Sequence, residues 1–76
     1  MKPTVGRIVH FYQDVMGQPE GPLAAIVVKT FSDVCVSLHV FKDGNRSQGA
    51  SSVMHKDSAK GASTYWEWPP REPADA

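Results

Sequence analysis

The sequence predicts an all-β protein: a small antiparallel barrel of five strands. Runs rich in β-branched and aromatic residues recur along the chain, and glycine- and proline-containing turn signals separate them. No segment shows the spacing of apolar residues that is typical of an amphipathic helix. Together these patterns indicate a single domain over residues 1–70, followed by a polar tail over residues 71–76.

The first two predicted strands flank a long loop. VGRIVHFY (residues 5–12) has the composition of a strand, and QDVMGQPEGP (residues 13–22) has two glycines and two prolines, which favour a loop. LAAIVVKTF (residues 23–31) is the second predicted strand. Its unbroken apolar run from Leu23 to Val28 predicts burial on both faces.

The third predicted strand, VCVSLHVF (residues 34–41), alternates cleanly between two faces. One face carries Cys35, Ser37, His39 and Phe41. The opposite face is more apolar and is the better candidate for the core, with Val34, Val36, Leu38 and Val40.

The remaining elements are short. Asp43-Gly44 predicts a tight turn, and the polar residues 46–51 predict a mobile segment. A fourth strand is expected over residues 52–55 and a fifth over residues 63–68, where two prolines end it. A long first loop with tight later turns is typical of an SH3-like barrel; an OB-like barrel is the alternative, but it usually needs a longer chain.

The length of the chain predicts self-association. A domain of 76 residues buries only roughly 60–65 % of its unfolded surface, so its core is thin. Cys35 is the only cysteine, so no internal disulfide can support the fold, and a reducing cytoplasm is expected. The sequence shows no signal peptide and no apolar run long enough to span a membrane. We therefore expect a homo-oligomer that has no membrane partner.

The charge balance argues against a nucleic-acid polymer as partner. Eight basic and eight acidic residues cancel, and the basic residues are spread along the chain. Binding to a polymer usually needs a basic stripe that displaces counterions. A small phosphorylated ligand needs only one or two well-placed cations, so this class of ligand stays open.

No pattern predicts catalysis or a metal site. Cys35 and His39 share a strand face but lie about 13 Å apart at ~3.3 Å per residue, too far for a thiol–imidazole pair. His10, His39 and His55 lie on three different strands without the spacing of a zinc motif. We therefore expect a non-enzymatic protein with no metal and no cofactor.

The aromatic residues near the end of the chain are the candidate binding site. On a strand, Trp66 and Trp68 point to one face, and Tyr65 and Glu67 to the other. Either both indoles fill the core, or one does so while the other lines a cleft. The first and last strands of such barrels are often neighbours, which would gather these aromatics beside the first strand. The predicted ligand-binding residues are Arg7, His10, Tyr12, Trp66 and Trp68.

Three stretches carry a resemblance to a known group: MKPTVGRIVHFY, AAIV with V-x-L-x-V-F, and G-x-x-x-Y-W-E-W-P. They resemble small phage-encoded proteins over most of residues 1–70. The chain departs from that group at Tyr65 and Glu67, where a smaller residue and a histidine are expected. The resemblance implies a phage origin and, with it, the cytoplasm of the host.

Phage proteins of this size include the counter-defence families Sequestin and Lockin, which are small oligomeric binders of nucleotide immune signals made by bacterial TIR enzymes. This association implies a protein that sequesters a nucleotide such as a cyclic or conjugated ADP-ribose. A pocket of that kind occupies about 300–1,000 Å³, so it would have to lie between copies of the chain. The alternatives are an SH3-like module that binds a host or phage protein and a minor virion protein.

Overall fold

The computed structural model describes residues 2–42 and 46–70. The strands are β1 (Ile8–Val15), β2 (Gln18–Thr30), β3 (Cys35–Phe41), β4 (Ser47–Met54) and β5 (Tyr65–Glu67). They form one antiparallel sheet in the order β4-β3-β2-β1-β5. The predicted all-β class and the five strands are confirmed. The predicted turn at Asp43-Gly44 and the tail 71–76 lie outside the described residues.

The prediction of a long loop over residues 13–22 is wrong, because most of that segment is a hairpin. Only Met16 and Gly17 separate β1 from β2, with φ of 53° and 82°. Two consecutive positive φ angles give the turn whose twist matches that of the strands. Pro19 and Pro22 are tolerated because β2 pairs with β3 only from Ala24 onward, so their segment is bonded on one side alone.

Strand β4 begins at Ser47, earlier than predicted, so the prediction of a mobile segment over residues 46–51 is also wrong. Its register places Ser47 opposite Phe41 and Ala50 opposite Leu38. Backbone pairing with β3 holds this polar segment, and an edge strand with one solvated face needs few apolar residues. The fifth strand is shorter than predicted and covers Tyr65–Glu67 only.

A helix that the sequence did not predict lies between β4 and β5. It is a single turn, α1 (Lys56–Ala59). His55 caps its first turn, since its Nδ1 accepts a hydrogen bond of 3.1 Å from the backbone N–H of Asp57. A single turn is too short to show helical periodicity, so the sequence pattern gave no signal for it.

The core lies on one face of the sheet. The prediction for β3 is confirmed for three residues, Val36, Leu38 and Val40, which are buried, and Val34 is partly buried. The prediction that β2 is buried on both faces is wrong, because its alternate residues are exposed or only partly buried. The buried apolar residues are Val9, Phe11, Ala25, Val27, Val36, Leu38, Val40, Val53 and Trp66.

The two ends of the sheet come close to each other without closing into a continuous ladder. β1 pairs with β5, which confirms that the first and last strands are neighbours. His55, which follows β4, forms an isolated parallel bridge with Trp66 on β5. This single bridge brings the end of β4 beside β5. No helix within the described ranges is long and apolar enough to cross a membrane.

Candidate functional site

The predicted site residues lie on two opposite faces of the sheet. In the β1–β5 ladder Phe11 lies opposite Trp66, and Tyr12 lies opposite Tyr65. Residues that are directly opposite in an antiparallel pair share a face. Trp66 therefore shares the core face with Phe11, whereas Tyr12 and its neighbour in alternation, His10, belong to the outer face. The aromatics do lie beside the first strand, as expected, but on two opposite faces and not in one region.

Trp66 is a core residue and does not present a ring face to solvent. Its side chain is 1 % exposed. Its indole Nε1–H donates a hydrogen bond of 3.0 Å to the backbone carbonyl of Val34, which satisfies the polar atom of a buried indole. The predicted role of Trp66 as a surface for base stacking therefore conflicts with its burial. An indole that is enclosed in this way ties β5 to the segment before β3.

Trp68 is the indole that remains accessible. It is partly buried against the core, and its ring centroid lies 5.2 Å from that of Trp66 in an edge-to-face arrangement. The Cζ atom of Arg7 lies 5.6 Å from the centroid of the Trp68 ring, within cation–π range. The structure therefore agrees with the second alternative for the Trp pair, in which one indole fills the core and the other lines a cleft.

A cavity of about 390 Å³ lies beside the two indoles, and we call it the indole pocket. His55 contributes an imidazole whose ring lies edge-to-face with Trp66 at 4.7 Å. Its position was not predicted as part of a site, because it depends on the turn of α1 and the bridge to β5. The pocket is lined by Asp33, Val34, His55, Asp57, Trp66 and Trp68.

The outer face carries a different aromatic cluster. The rings of Tyr12 and Tyr65 stack with centroids 4.8 Å apart. The Tyr12 hydroxyl donates a hydrogen bond of 3.0 Å to Oε1 of Glu67, whose Oε2 lies 3.6 Å from Nζ of Lys56. Sequence reasoning chose Tyr12 but missed Tyr65 and Glu67, although the alternation of the fifth strand placed those two on one face.

A groove of about 330 Å³ runs beside this cluster and toward the β1–β2 hairpin; we call it the tyrosine groove. Gln13 donates a hydrogen bond of 2.6 Å from Nε2 to Oε1 of Glu20, and Lys42 lies 3.6 Å from the same oxygen. The hydrogen bond from Gln13, followed by the charge of Lys42, lowers the pKa of the Glu20 carboxyl. The groove is lined by Tyr12, Gln13, Asp14, Pro19, Glu20, Gly21, Ser63 and Tyr65.

His10 lines neither cavity. It lies opposite Glu67 in the β1–β5 register and is partly buried. Its Nδ1 atom is buried, and no described residue forms a hydrogen bond with it. The structure therefore separates His10 from both the indole pocket and the tyrosine groove, and its predicted role in the site has no geometric support.

The residues considered for catalysis or metal binding are also far apart in the fold. Cys35 is a partly buried free thiol that lies opposite Met54 on β4, whereas His39 lies opposite Gly49 and packs edge-to-face on Phe41 at 5.1 Å. Within residues 2–42 and 46–70, no three His, Cys, Asp or Glu side chains come together in a group that could hold a metal ion.

Glu67 is expected to affect the ionisation of Tyr12. Desolvation first, and then the hydrogen bond and negative charge of Glu67, raise the pKa of the Tyr12 hydroxyl. A raised pKa means that folding favours the neutral phenol, so this stabilisation is present below the unfolded pKa and is lost as the pH rises through the folded pKa. In a Tyr65→Phe background, Glu67→Gln should lower the pKa of Tyr12 in a titration of phenolate absorbance. The pKa should stay above its ordinary value, because desolvation of the Tyr12 hydroxyl is unchanged. An unchanged titration would contradict the role of Glu67.

The fold and the two cavities define a small all-β protein with two aromatic surfaces on opposite faces of its last strand. Comparison of the chain with protein-family models, with curated proteins and with solved structures yields no match.

Proposed function

We propose that this is a non-catalytic phage protein of the SH3-like barrel kind that binds and sequesters a small nucleotide immune signal. The strand order and the helical turn before β5 support the SH3-like assignment. The bridge between His55 and Trp66 supports the barrel, since it links the two ends of the sheet. The resemblance to small phage proteins supports the origin and the class of ligand.

The observation that carries the nucleotide proposal is the cation–π pair of Arg7 and Trp68 beside the indole pocket. A partly exposed indole can stack a base, and such stacking is worth about 1–3 kcal/mol. The Arg7 guanidinium, 5.6 Å from the ring centroid, brings a positive charge to the same place. The volume of about 390 Å³ falls within the range of small-molecule sites.

The charges around the indole pocket dictate how a nucleotide would be oriented. Asp33 and Asp57 line the pocket and would repel phosphates, but carboxylates accept hydrogen bonds from ribose hydroxyls. The base and ribose therefore belong in the pocket, and the phosphates belong on the side of Arg7. This arrangement leaves the phosphates outside the pocket, where a second copy of the chain would complete the site.

The outer sheet face offers a surface for self-association, on the side of the sheet opposite the indole pocket. Ile8, Ile26 and His39 lie side by side on neighbouring strands, and Phe41 follows on β3. Ile8 and Phe41 are 52 % and 44 % exposed, and none of these four residues is a carboxylate, a lysine or an arginine. An uncharged apolar surface suits an interface between identical copies.

Removal of the Trp68 ring is expected to weaken nucleotide binding. Trp68→Ala should reduce affinity for ADP-ribose by about tenfold or more, since tenfold corresponds to about 1.4 kcal/mol and stacking is worth about that amount or more. Arg7→Ala should weaken binding as well and reduce its dependence on salt. Calorimetry with ADP-ribose and cyclic ADP-ribose measures both effects in variants whose fold is verified by circular dichroism.

Tyr65→Phe is the matched control, because Tyr65 lies on the opposite face, and it should bind like the unchanged protein. The proposal fails if neither nucleotide binds at millimolar concentration, or if Trp68→Ala binds as tightly as the control. Sedimentation of the same samples reports whether the bound form contains more than one copy.

A second candidate function is that of a protein-interaction module. The observation in its favour is the stacked pair of Tyr12 and Tyr65 at the edge of the tyrosine groove. Aromatic grooves of this kind bind extended, proline-rich segments. The two candidate functions use cavities that share no lining residue, so a substitution can be chosen in one lining without changing the other.

A further inference from the structure

Strand β4 is an edge strand, and its outer side is largely without a backbone partner within the described ranges. β4 pairs with β3 on one side. On the other side, the described residues form one bridge, between His55, which follows β4, and Trp66. The opposite edge of the sheet, β5, is three residues long and carries that same bridge. The eight residues of β4 therefore form the longer free edge.

The ladder between β3 and β4 determines which backbone groups face the free edge. The N–H of Lys42 donates a hydrogen bond of 3.0 Å to the carbonyl of Arg46, so these two residues form a bonded pair. Bonded and non-bonded pairs alternate along an antiparallel ladder, which places Ser47 and Gly49 in non-bonded pairs. Their N–H and C=O groups therefore point away from β3, and no described residue forms a backbone hydrogen bond with them.

The side chains of β4 do little to keep another strand away from this edge. Exposed edges are usually protected by lysine, by proline or by a β-bulge. The sequence of β4, SQGASSVM, contains no charged residue and no proline. A register shift leaves Ser51 and Ser52 outside the ladder, and Ser52 has a φ of 57°. This bulge ends the regular edge near Ser51, and the part from Ser47 onward stays open.

The open edge is complementary to itself. If two copies of β4 pair antiparallel about Gly49, each Gly49 lies opposite the same glycine of the other copy, and Ser47 lies opposite Ser51. These side chains are small and uncharged, whereas a charged residue at the centre would meet its own charge. His39 lies beside Gly49 on β3, so the row of Ile8, Ile26 and His39 on the outer face would continue into the second copy.

We propose that β4 of one copy pairs antiparallel with β4 of a second copy, about a twofold axis at Gly49. The pairing gives the unpaired N–H and C=O groups of Ser47 and Gly49 backbone partners, as in other cases of strand addition to a sheet edge. It joins two five-stranded sheets into one, and the twofold symmetry closes the assembly at two copies. The inference concerns the backbone edge and does not depend on nucleotide binding in the indole pocket.

Hydrogen exchange of single amides, measured by NMR on the full-length protein at dilute and at millimolar concentration, tests the pairing. The amides of Ser47 and Gly49 should exchange at least about tenfold more slowly in the concentrated sample, because the dimer alone bonds them. Gln48 and Ala50 are the internal controls, since the same alternation bonds their amides to β3 in both samples. A protein that stays monomeric at millimolar concentration would overturn the inference. So would a dimer in which Ser47 and Gly49 exchange as fast as in the dilute sample, because that dimer would use another surface.

A charge exchange at the centre of the pair tests its symmetry. No atom lies within 4 Å of a Cβ added at Gly49, so Gly49→Lys and Gly49→Glu should both fold, which circular dichroism verifies. Each variant alone should dimerise at least about tenfold more weakly than the unchanged protein, because like charges lie opposite each other. An equimolar mixture of the two should recover the dimer in sedimentation.

Thr30→Lys and Thr30→Glu are the matched controls for added charge, because Thr30 is exposed at the end of β2 and not on the edge strand. Both should dimerise like the unchanged protein. The inference is overturned if the Gly49 variants dimerise as well as the Thr30 variants, or if the mixture dimerises no better than its components.

Discussion

Replacement of Trp66 with alanine should lower the free energy of unfolding by about 3–5 kcal/mol, the usual cost of removing a large buried aromatic side chain. Trp66 is 1 % exposed, and its indole bonds to the Val34 carbonyl at 3.0 Å. Its loss would leave a cavity and an unpaired carbonyl. A domain of this size is stable by only about 5 kcal/mol or somewhat more, so Trp66→Ala should retain only a small part of the stability of the unchanged protein.

Trp66→Phe should remain stable enough for its unfolding to be measured, because it retains most of the apolar volume. It loses the hydrogen bond to the Val34 carbonyl. Chemical denaturation should show an intermediate loss of stability for this variant. Val5→Ala is the control, since Val5 is 68 % exposed and surface substitutions usually change stability by about 0.5 kcal/mol or less. If Trp66→Ala unfolded at the same denaturant concentration as Val5→Ala, Trp66 would not be part of the core.

The second large effect is expected at Gly21, beside the tyrosine groove. Its φ is 142°, and a Cβ atom there would lie 2.7 Å from Cδ2 of Tyr12 and 2.9 Å from the carbonyl oxygen of Phe11. A backbone carbonyl in a strand cannot move aside as the end of a flexible side chain can. Gly21→Ala combines backbone strain of about 1–3 kcal/mol with overpacking of a similar size.

Gly49→Ala is the matched control for this prediction. Gly49 lies on β4, it has no atom within 4 Å of an added Cβ, and its φ is outside the range that disfavours side chains. We expect thermal unfolding of Gly49→Ala to resemble that of the unchanged protein, whereas Gly21→Ala should melt at least several degrees lower. Equal melting temperatures would show that the chain passes Tyr12 less closely at Gly21 than the structure indicates.

The segment Tyr65–Trp68 connects stability with both proposed binding surfaces. Successive side chains of this segment point to opposite faces of the sheet. Trp66 lies in the core and Trp68 at the indole pocket, whereas Tyr65 and Glu67 contact Tyr12 on the outer face. A substitution in this segment can therefore change folding and binding together. Binding measurements on Trp68 and Tyr65 variants need a parallel measurement of stability for this reason.

The sequence by itself determined the fold class and the part of the core that β3 supplies. Alternation of apolar and polar residues predicted the buried face of β3, and the composition of the last strand predicted that Trp66 and Trp68 share a face. These predictions hold because the side-chain direction in a strand depends only on position along the chain. The pairing of the first and last strands followed from the fold class.

Only the tertiary structure decided where β2 and β4 begin and which aromatic side chains are accessible to solvent. Residues 18–22 and 47–51 contain turn formers and polar residues, yet they are strands because pairing with a neighbour supplies what local propensity does not. Whether an indole is enclosed depends on distant partners: Val34 and His55 enclose Trp66, and no local pattern encodes that contact. The division of the aromatic residues between two cavities likewise follows from the register of β1 against β5.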